Sequence, residues 1–177
     1  MHTADSGLPP FFPLSAAAAT IGVSAIATGG LHSFVITDDG SLWAWGLNSV
    51  GQLGDGTNIS RYSPVKVLDS AIAVSTGLNH SLAVTIDGAL WAWGPNENGQ
   101  LGDGTTSDRL SPVKIMDSVA SVSVGLSHSL AITDDGTLLA WGWNEYGQLG
   151  DGSTIDRLNP VKVLDRVLYA SAGFITA

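Results

Sequence analysis

The chain has 177 residues, of which 16 are acidic and 7 are basic, so its formal charge near neutral pH is −9. This charge argues against a nucleic-acid partner, which would need a basic surface, and the lack of cysteine excludes disulfides, thiolate zinc sites and cysteine nucleophiles. A hydrophobic content of 44% with 13% charged residues predicts a folded chain, and 22 glycines predict many turns.

Residues 1–20 precede the first predicted strand and contain Pro9-Pro10-Phe11-Phe12-Pro13 followed by Ala16 to Ala19. The stretch has no early basic residue, and prolines interrupt its apolar part, which argues against a secretory signal. It is also too short to span a membrane once Ile21 begins a strand. We expect a flexible leader without membrane association; a truncated export signal or a linker is the alternative.

From Ile21 onward the sequence repeats with a period of 48 residues, which defines a repeat domain over residues 21–177. Gly51-Gln52-Leu53-Gly54-Asp55-Gly56 returns unchanged at residues 99–104 and 147–152. No insertion breaks the register. The domain therefore holds three complete units and part of another.

Within a unit the hydrophobic period is two, which is typical of β-strands. Leu82 and Val84 share one face of a predicted strand, and the following Asp87-Gly88 suits a hairpin turn. In chain order, residues 80–125 predict a strand at 80–85, a returning strand at 89–93, a polar loop at 96–111, a short outer strand at 113–115 and a fourth strand at 119–125.

Four short strands with apolar or small residues on both faces need neighbouring sheets on each side, which is the arrangement of a β-propeller. A β-solenoid is the competing all-β repeat. We predict three four-stranded blades at residues 32–77, 80–125 and 128–173. Residues 21–29 would then form an extra N-terminal strand, left over from a preceding blade.

The repeated motif resembles the repeat family of the regulator of chromosome condensation, in its bacterial-type form. Each unit carries Gly-x-x-His-Ser, then Asp-Gly, then Trp-Gly-x-Asn-x-x-Gly-Gln-Leu-Gly-Asp-Gly, then an arginine and a Pro-Val-Lys segment. The resemblance implies a β-propeller, usually of seven blades. Three blades fall short of a closed ring, so we expect either a fragment of a longer propeller or a homo-oligomer that covers the terminal blade faces.

The strictly periodic side chains are interpreted as structural. Equivalent histidines on successive blades would lie about one sheet spacing apart, roughly 10 Å, so a shared metal site is not expected and each histidine should bond neighbouring backbone. The aspartates should pair with arginines or form turns, and the tryptophans should pack between blades. These residues are His32, His80, His128, Trp45, Trp93, Trp141, Asp55, Asp103, Asp151, Arg61, Arg109 and Arg157.

Residues that vary between units on a fixed scaffold are candidates for partner contact. Trp143 stands where the other units have Leu47 and Pro95, and Tyr146 stands where they have Val50 and Asn98. Polar side chains in the same loops can also take part in recognition of a partner, so they belong to the candidates. The candidate contact residues are Tyr62, Asn96, Glu97, Trp143, Asn144, Glu145 and Tyr146.

No catalytic constellation, metal site or cofactor is predicted. The sequence favours a non-enzymatic scaffold that binds a protein partner and self-associates through its terminal blade faces. The resemblance keeps two alternatives open, a regulator of a small GTPase acting as a nucleotide exchange factor and a proteinaceous β-lactamase inhibitor. The aromatic loop residues keep open a third, a glycan-binding module. The resemblance does not choose among them, because a fold can host many functions.

Overall fold

The computed structural model describes residues 22–173. Regular structure in this range consists of twelve β-strands in three four-stranded antiparallel sheets, each of which we call a blade. No helix of the described residues is long and apolar enough to span a membrane. Blade 1 contains β1 (Val23–Thr28), β2 (His32–Thr37), β3 (Leu42–Gly46) and β4 (Arg61–Leu68); blade 2 contains β5 (Ala71–Thr76), β6 (Ser81–Thr85), β7 (Leu90–Gly94) and β8 (Arg109–Met116); blade 3 contains β9 (Val119–Val124), β10 (His128–Thr133), β11 (Leu138–Gly142) and β12 (Arg157–Leu164).

The predicted hairpins are present. In blade 1, Asp39 accepts hydrogen bonds from the hydroxyl of Thr37 at 2.6 Å and from the backbone N–H of Ser41 at 3.0 Å. Gly40 takes a φ of +78°, which a residue with a side chain rarely adopts. A short polar side chain and one glycine therefore reverse the chain between β2 and β3, and the same pattern recurs in the other two blades.

The strands group differently from the blade boundaries predicted at residues 32–77, 80–125 and 128–173. The strand that was expected to close each blade instead begins the next one, so β5 pairs with β6 and β9 pairs with β10. The strand expected to be left over is β1, which pairs with β2 and completes blade 1. The short turn after β5, in which Gly77 N–H donates to the His80 carbonyl at 2.9 Å, directs β5 onto the strand that follows it.

Residues 167–173 stand in the sequence where a further first strand would be, but they form no strand. They nevertheless lie against β9, because the N–H of Ala172 donates to the Ser123 hydroxyl at 2.8 Å. The N–H of Val124 makes the equivalent bond to Ser75, at 3.1 Å, between blades 2 and 3. The predicted leader at residues 1–20 and the last four residues of the chain lie outside the described residues.

The hydrophobic core lies between blades. One cluster joins Phe34 and Leu42 of blade 1 to Ala83 and Trp93 of blade 2, together with Leu53 from the loop of blade 1. A second cluster joins blade 2 to Trp141 of blade 3 in the same way. The prediction that the blades bury their faces against one another is confirmed, and the loops after the third strands of blades 1 and 2 take part in the packing through Leu53 and Leu101.

Candidate interaction surface

Each blade carries a long loop between its third and fourth strands, and one asparagine organises it. In blade 2, Asn96 is fully buried, and its Nδ2 donates to Asp103 Oδ1 at 3.0 Å and to the carbonyl of Thr105 at 2.9 Å. Its Oδ1 accepts the N–H of Leu101 at 3.0 Å. Since one amide bonds to three points of the loop, it fixes the loop conformation; Asn48 and Asn144 make the equivalent bonds in blades 1 and 3.

The aspartate of each loop pairs with the arginine that begins the fourth strand. Asp103 Oδ2 lies 2.6 Å from Arg109 Nη2, and the other two pairs join Nε to Oδ2 at 2.6 Å. Burial raises the pKa of Asp103, but hydrogen bonds from Thr105 and Arg109 outweigh it and leave the pKa below its usual value. Bonds from Ser153 and Arg157 lower the pKa of Asp151 to about 2. These carboxylates are therefore ionised at neutral pH and hold the loops closed.

Two of the candidate contact residues, Asn96 and Asn144, are not available to a partner. Both side chains are fully buried and their amides are bonded inside the loop. The sequence did contain the signal, because Asn48, Asn96 and Asn144 follow the 48-residue period and so belong with the structural positions. Asparagine is usually an exposed residue, and for that reason the prediction assigned Asn96 and Asn144 to the contact surface.

The other candidates are exposed or half-buried, and some of them lie together. The rings of Trp143 and Tyr146 meet edge to face with their centroids 5.4 Å apart, and Tyr146 is 71% exposed. Glu145 is exposed between them in the sequence. We call Trp143, Glu145 and Tyr146 the aromatic loop patch of blade 3. Glu97 is exposed on the corresponding loop of blade 2, and Tyr62 lies on β4 of blade 1.

Two of the three periodic tryptophans, Trp93 and Trp141, lie in the interfaces between blades. Trp93 Nε1 donates to the carbonyl of Gln52, in the loop of the preceding blade, at 3.0 Å, and Trp141 Nε1 donates to the carbonyl of Gln100 at 2.9 Å. Both rings are fully buried. Trp45 is the equivalent residue of blade 1 but is only half-buried, because no described loop covers it.

Two of the three histidines, His32 and His80, also bridge blades, but through a hydroxyl of the next blade instead of the backbone contact that the sequence predicted. His80 Nε2 lies 3.0 Å from the Ser129 hydroxyl, and His32 Nε2 lies 2.7 Å from the Thr76 hydroxyl. Burial lowers the pKa of His80 to about 3, with neighbouring histidine charge as a smaller cause, and burial lowers that of His32 to about 4. No group of three potential metal-binding side chains occurs within residues 22–173.

Comparisons with known proteins identify the same repeat. The model of the RCC1-like domain matches residues 7–176. A crystal structure of Prp20p from Saccharomyces cerevisiae aligns with a TM-score of 0.76 at 25% identity and covers 86% of this chain and 42% of that one. A structure of yeast RCC1 (Prp20) bound to Kap60 aligns with a TM-score of 0.70 at 27% identity, covering 81% and 37%.

Curated relatives match over shorter stretches. The ultraviolet-B receptor UVR8 of Arabidopsis thaliana is 44% identical over 45 residues, which is 25% of this chain and 10% of the receptor. The human E3 ubiquitin-protein ligase HERC2 is 60% identical over 35 residues, which is 20% of this chain and 1% of the ligase. The matched stretches thus cover a tenth or less of these relatives. The family match and the shared blade architecture show that this chain belongs to the RCC1-like domain family of β-propellers.

Proposed function

We propose that this chain is a non-enzymatic scaffold that binds a protein partner through the loops that follow the third strand of each blade. The observation that carries the proposal is the contrast within each loop between a constant framework and variable exposed side chains. Asn144, Asp151 and Arg157 hold the blade 3 loop as their equivalents hold the others. A rigid loop that presents exposed aromatic side chains loses little conformational entropy on binding.

The aromatic loop patch has the composition of a protein contact site. Tyrosine and tryptophan are enriched among residues that carry binding energy, and Trp143 and Tyr146 are already packed against each other. The three arginines of the loops are paired with Asp55, Asp103 and Asp151, whereas Glu97 and Glu145 are exposed. We therefore expect the partner surface to carry basic side chains beside an apolar contact.

The first binding partners to test are those of the similar yeast protein. The crystal structure of Prp20p is described together with its binding to Gsp1p and histones. Calorimetry should measure the binding of Gsp1p and of core histones to the wild-type chain, to a Trp143→Ala/Tyr146→Ala variant and to an Ile86→Ala control. Ile86 is an exposed apolar residue of the blade 2 hairpin and lies outside these loops. We expect the double variant to lose at least tenfold in affinity, or about 1.4 kcal/mol.

Each outcome of that experiment bears on the proposal. Equal binding by the double variant and the wild type would exclude the aromatic loop patch as the contact surface. Absence of binding to both proteins would withdraw the support that the similarity to Prp20p provides. A separate assay that showed accelerated nucleotide release from a small GTPase would extend the proposal from binding to exchange-factor activity.

We also infer that the chain self-associates through the two blade faces that the described residues leave uncovered. On the blade 1 side, Trp45 is half-buried and Tyr62 is fully exposed, whereas the equivalents of Tyr62 in the other blades, Leu110 and Leu158, are 41% and 36% exposed. Exposed apolar side chains on a sheet face favour association. Light scattering over a range of concentrations should give multiples of 18.2 kDa. A single species of 18.2 kDa at every concentration would contradict the inference.

A further inference from the structure

The two interfaces inside the chain are built from the same pairs of groups. The carbonyl of Gln52 accepts from Trp93 Nε1 at 3.0 Å and from the Ser81 hydroxyl at 3.3 Å. One repeat later, the carbonyl of Gln100 accepts from Trp141 Nε1 at 2.9 Å and from the Ser129 hydroxyl at 2.8 Å. Each interface also has a backbone hydrogen bond. The N–H of Gly56 donates to the carbonyl of Leu110, and the N–H of Gly104 donates to the carbonyl of Leu158, both at 2.9 Å. In each interface, the loop of one blade supplies a glutamine carbonyl as acceptor and a glycine N–H as donor. The facing blade supplies the tryptophan Nε1 and a serine hydroxyl as donors and a backbone carbonyl as acceptor.

Blades 1 and 3 hold the two halves of a third such interface. On blade 1, Trp45 and Ser33 occupy the donor positions, and the carbonyl of Tyr62 occupies the position of the Leu110 acceptor. On blade 3, the carbonyl of Gln148 and the N–H of Gly152 occupy the loop positions. Within residues 22–173, neither half has the partner that its equivalents have inside the chain.

Resting on the proposed self-association, we propose that the loop of blade 3 in one copy docks on the blade 1 face of a second copy. Trp45 Nε1 of the second copy donates to the Gln148 carbonyl, and Gly152 N–H donates to the Tyr62 carbonyl. The interface is head to tail, so the two copies use different surfaces and further copies can add until a ring closes or a filament grows.

The space in front of Gly150 fits this occupant. An added Cβ at Gly54 would lie 2.7 Å from Trp93, and one at Gly102 would lie 2.7 Å from Trp141, so in both internal interfaces the indole ring covers the glycine. A Cβ at Gly150 would have a single neighbour within 4 Å, the Cγ1 atom of Val163 at 3.3 Å. The surface that receives an indole ring in blades 1 and 2 is therefore open in blade 3.

One segment must move for this docking. Residues 167–173 lie beside β9 in the place that β1 of the second copy would take, because the repeat aligns Val167 with Val23. β1 is paired along its length with β2, whereas residues 167–173 form no strand, and Leu168 and Tyr169 are 97% and 82% exposed. We therefore expect this weakly held segment to leave its place beside β9 when a second copy docks. The free-energy cost of losing its contacts should be smaller than the free energy gained by burying Trp45.

The experiment uses one variant of each surface and a matched control. Trp45→Ala removes the docking ring from blade 1. Gly150→Asn places a side chain where the ring would sit, and asparagine tolerates the left-handed φ of +73° at this position. The control is Gly88→Asn, at a φ of +78° in the hairpin turn of blade 2 and outside the proposed interface. An added Cβ at Gly88 would lie 3.5 Å from the Cα atom of Ser118, which is an ordinary contact.

Sedimentation velocity of the full chain should show that Trp45→Ala and Gly150→Asn each weaken association at least tenfold, while Gly88→Asn behaves as the wild type. An equimolar mixture of the two weakened variants should form a 1:1 dimer that does not grow. Trp45→Ala keeps an intact blade 3 loop and Gly150→Asn keeps an intact blade 1 face, so the mixture contains one functional pair of surfaces. If Trp45→Ala is unfolded by circular dichroism, Ser33→Asp replaces it, since its carboxylate would face the Gln148 carbonyl.

The outcomes separate this mode of assembly from self-association itself. Wild-type association that both variants leave unchanged, or a mixture that stays monomeric, would overturn the head-to-tail interface and leave self-association standing. A wild-type chain that is monomeric at all concentrations would overturn both.

Discussion

The loops of blade 1 and blade 3 share one internal structure but differ in their surroundings. Asn48 and Asn144 lie 3.0 and 3.3 Å from the aspartates of their loops, and both aspartates lie 2.6 Å from their arginines. Trp93 of the next blade covers the loop of blade 1, so Gly54 is buried, whereas Gly150 in the loop of blade 3 is exposed. The comparison shows that the loop framework forms by local hydrogen bonding, while burial depends on the neighbouring blade.

The largest change in stability is expected from a comparison of two tryptophans at equivalent positions. Trp93→Ala should lower the free energy of unfolding by about 3–5 kcal/mol, because it empties a fully buried site between two blades. Trp45→Ala should cost less than half as much, because the ring is half-buried. Urea denaturation followed by circular dichroism, at a concentration too low for association, measures both losses. Equal losses would mean that the blade 1 face is covered in solution.

The second test asks whether the loop framework is independent of the neighbouring blade. Asn96→Ala and Asn144→Ala should each destabilise the protein by about 2–3 kcal/mol, because each leaves buried backbone groups without a partner. Asn98→Ala is the control, since its side chain makes no hydrogen bond among the described residues. Urea denaturation gives the three values. A loss for Asn144→Ala near that of the control would show that the framework needs the next blade after all.

The third test concerns the glycines beneath the indole rings. Gly54→Asn should cost about 1–3 kcal/mol, because the new side chain overlaps Trp93. Gly150→Asn should cost about 0.5 kcal/mol or less in the monomer, since only Val163 is near. Thermal unfolding of both variants in parallel provides the measurement. A loss of similar size in the two variants would attribute the effect to backbone strain instead of packing.

The fourth test concerns the pH dependence of a covered interface. The pKa of His80 falls from an ordinary value of 6.5 to about 3 on folding. Between these values the unfolded chain binds a proton that the folded chain does not, so stability falls as pH falls, by up to about 1.4 kcal/mol per pH unit. His80→Gln should reduce that slope between pH 6 and pH 4.5, as measured by urea denaturation at several pH values.

The control for this test is His128→Gln. His128 is less buried than His80, although burial lowers its pKa as well, so its replacement should change the slope less. Asp103 and Asp151 have lowered pKa values and titrate below this pH window. An unchanged slope in the His80 variant would show that His80 is not the group that titrates.

The sequence predicted the strands and turns well because their causes are local. Alternation of Leu82 and Val84 marks a strand, and Asp87-Gly88 marks a turn, whatever the rest of the chain does. The pairing of Asp103 with Arg109 was also expected, since six residues separate them within one loop. The grouping of strands into blades was wrong, because a strand between two others can pair with either, and the alternation pattern is the same in both cases.

The site was predicted only in part. Variation between repeats singled out Trp143 and Tyr146, and Tyr146 is exposed together with the neighbouring Glu97 and Glu145. Contact of these residues with a partner stays a prediction. Variation could not show that Trp143 and Tyr146 pack against each other, because the path of the loop decides which residues meet. The 48-residue period marks the asparagines as structural positions, but it does not identify their partners, which are an aspartate side chain and backbone groups of the same loop.

The repeat, the period-two strands, the reversals at Asp-Gly and the Asp–Arg pairs of the loops can be read from the sequence. The strands follow from the alternation of side chains, and the turns and pairs form between residues close in the chain. The tertiary structure alone decided which of two identical segments is buried. Leu42–Gly46 and Leu90–Gly94 have the same five residues, yet Trp93 is fully buried and Trp45 is not. The physical reason is that burial of the indole ring requires the loop of a preceding blade, and that loop lies 41 residues away in the chain from the tryptophan it covers.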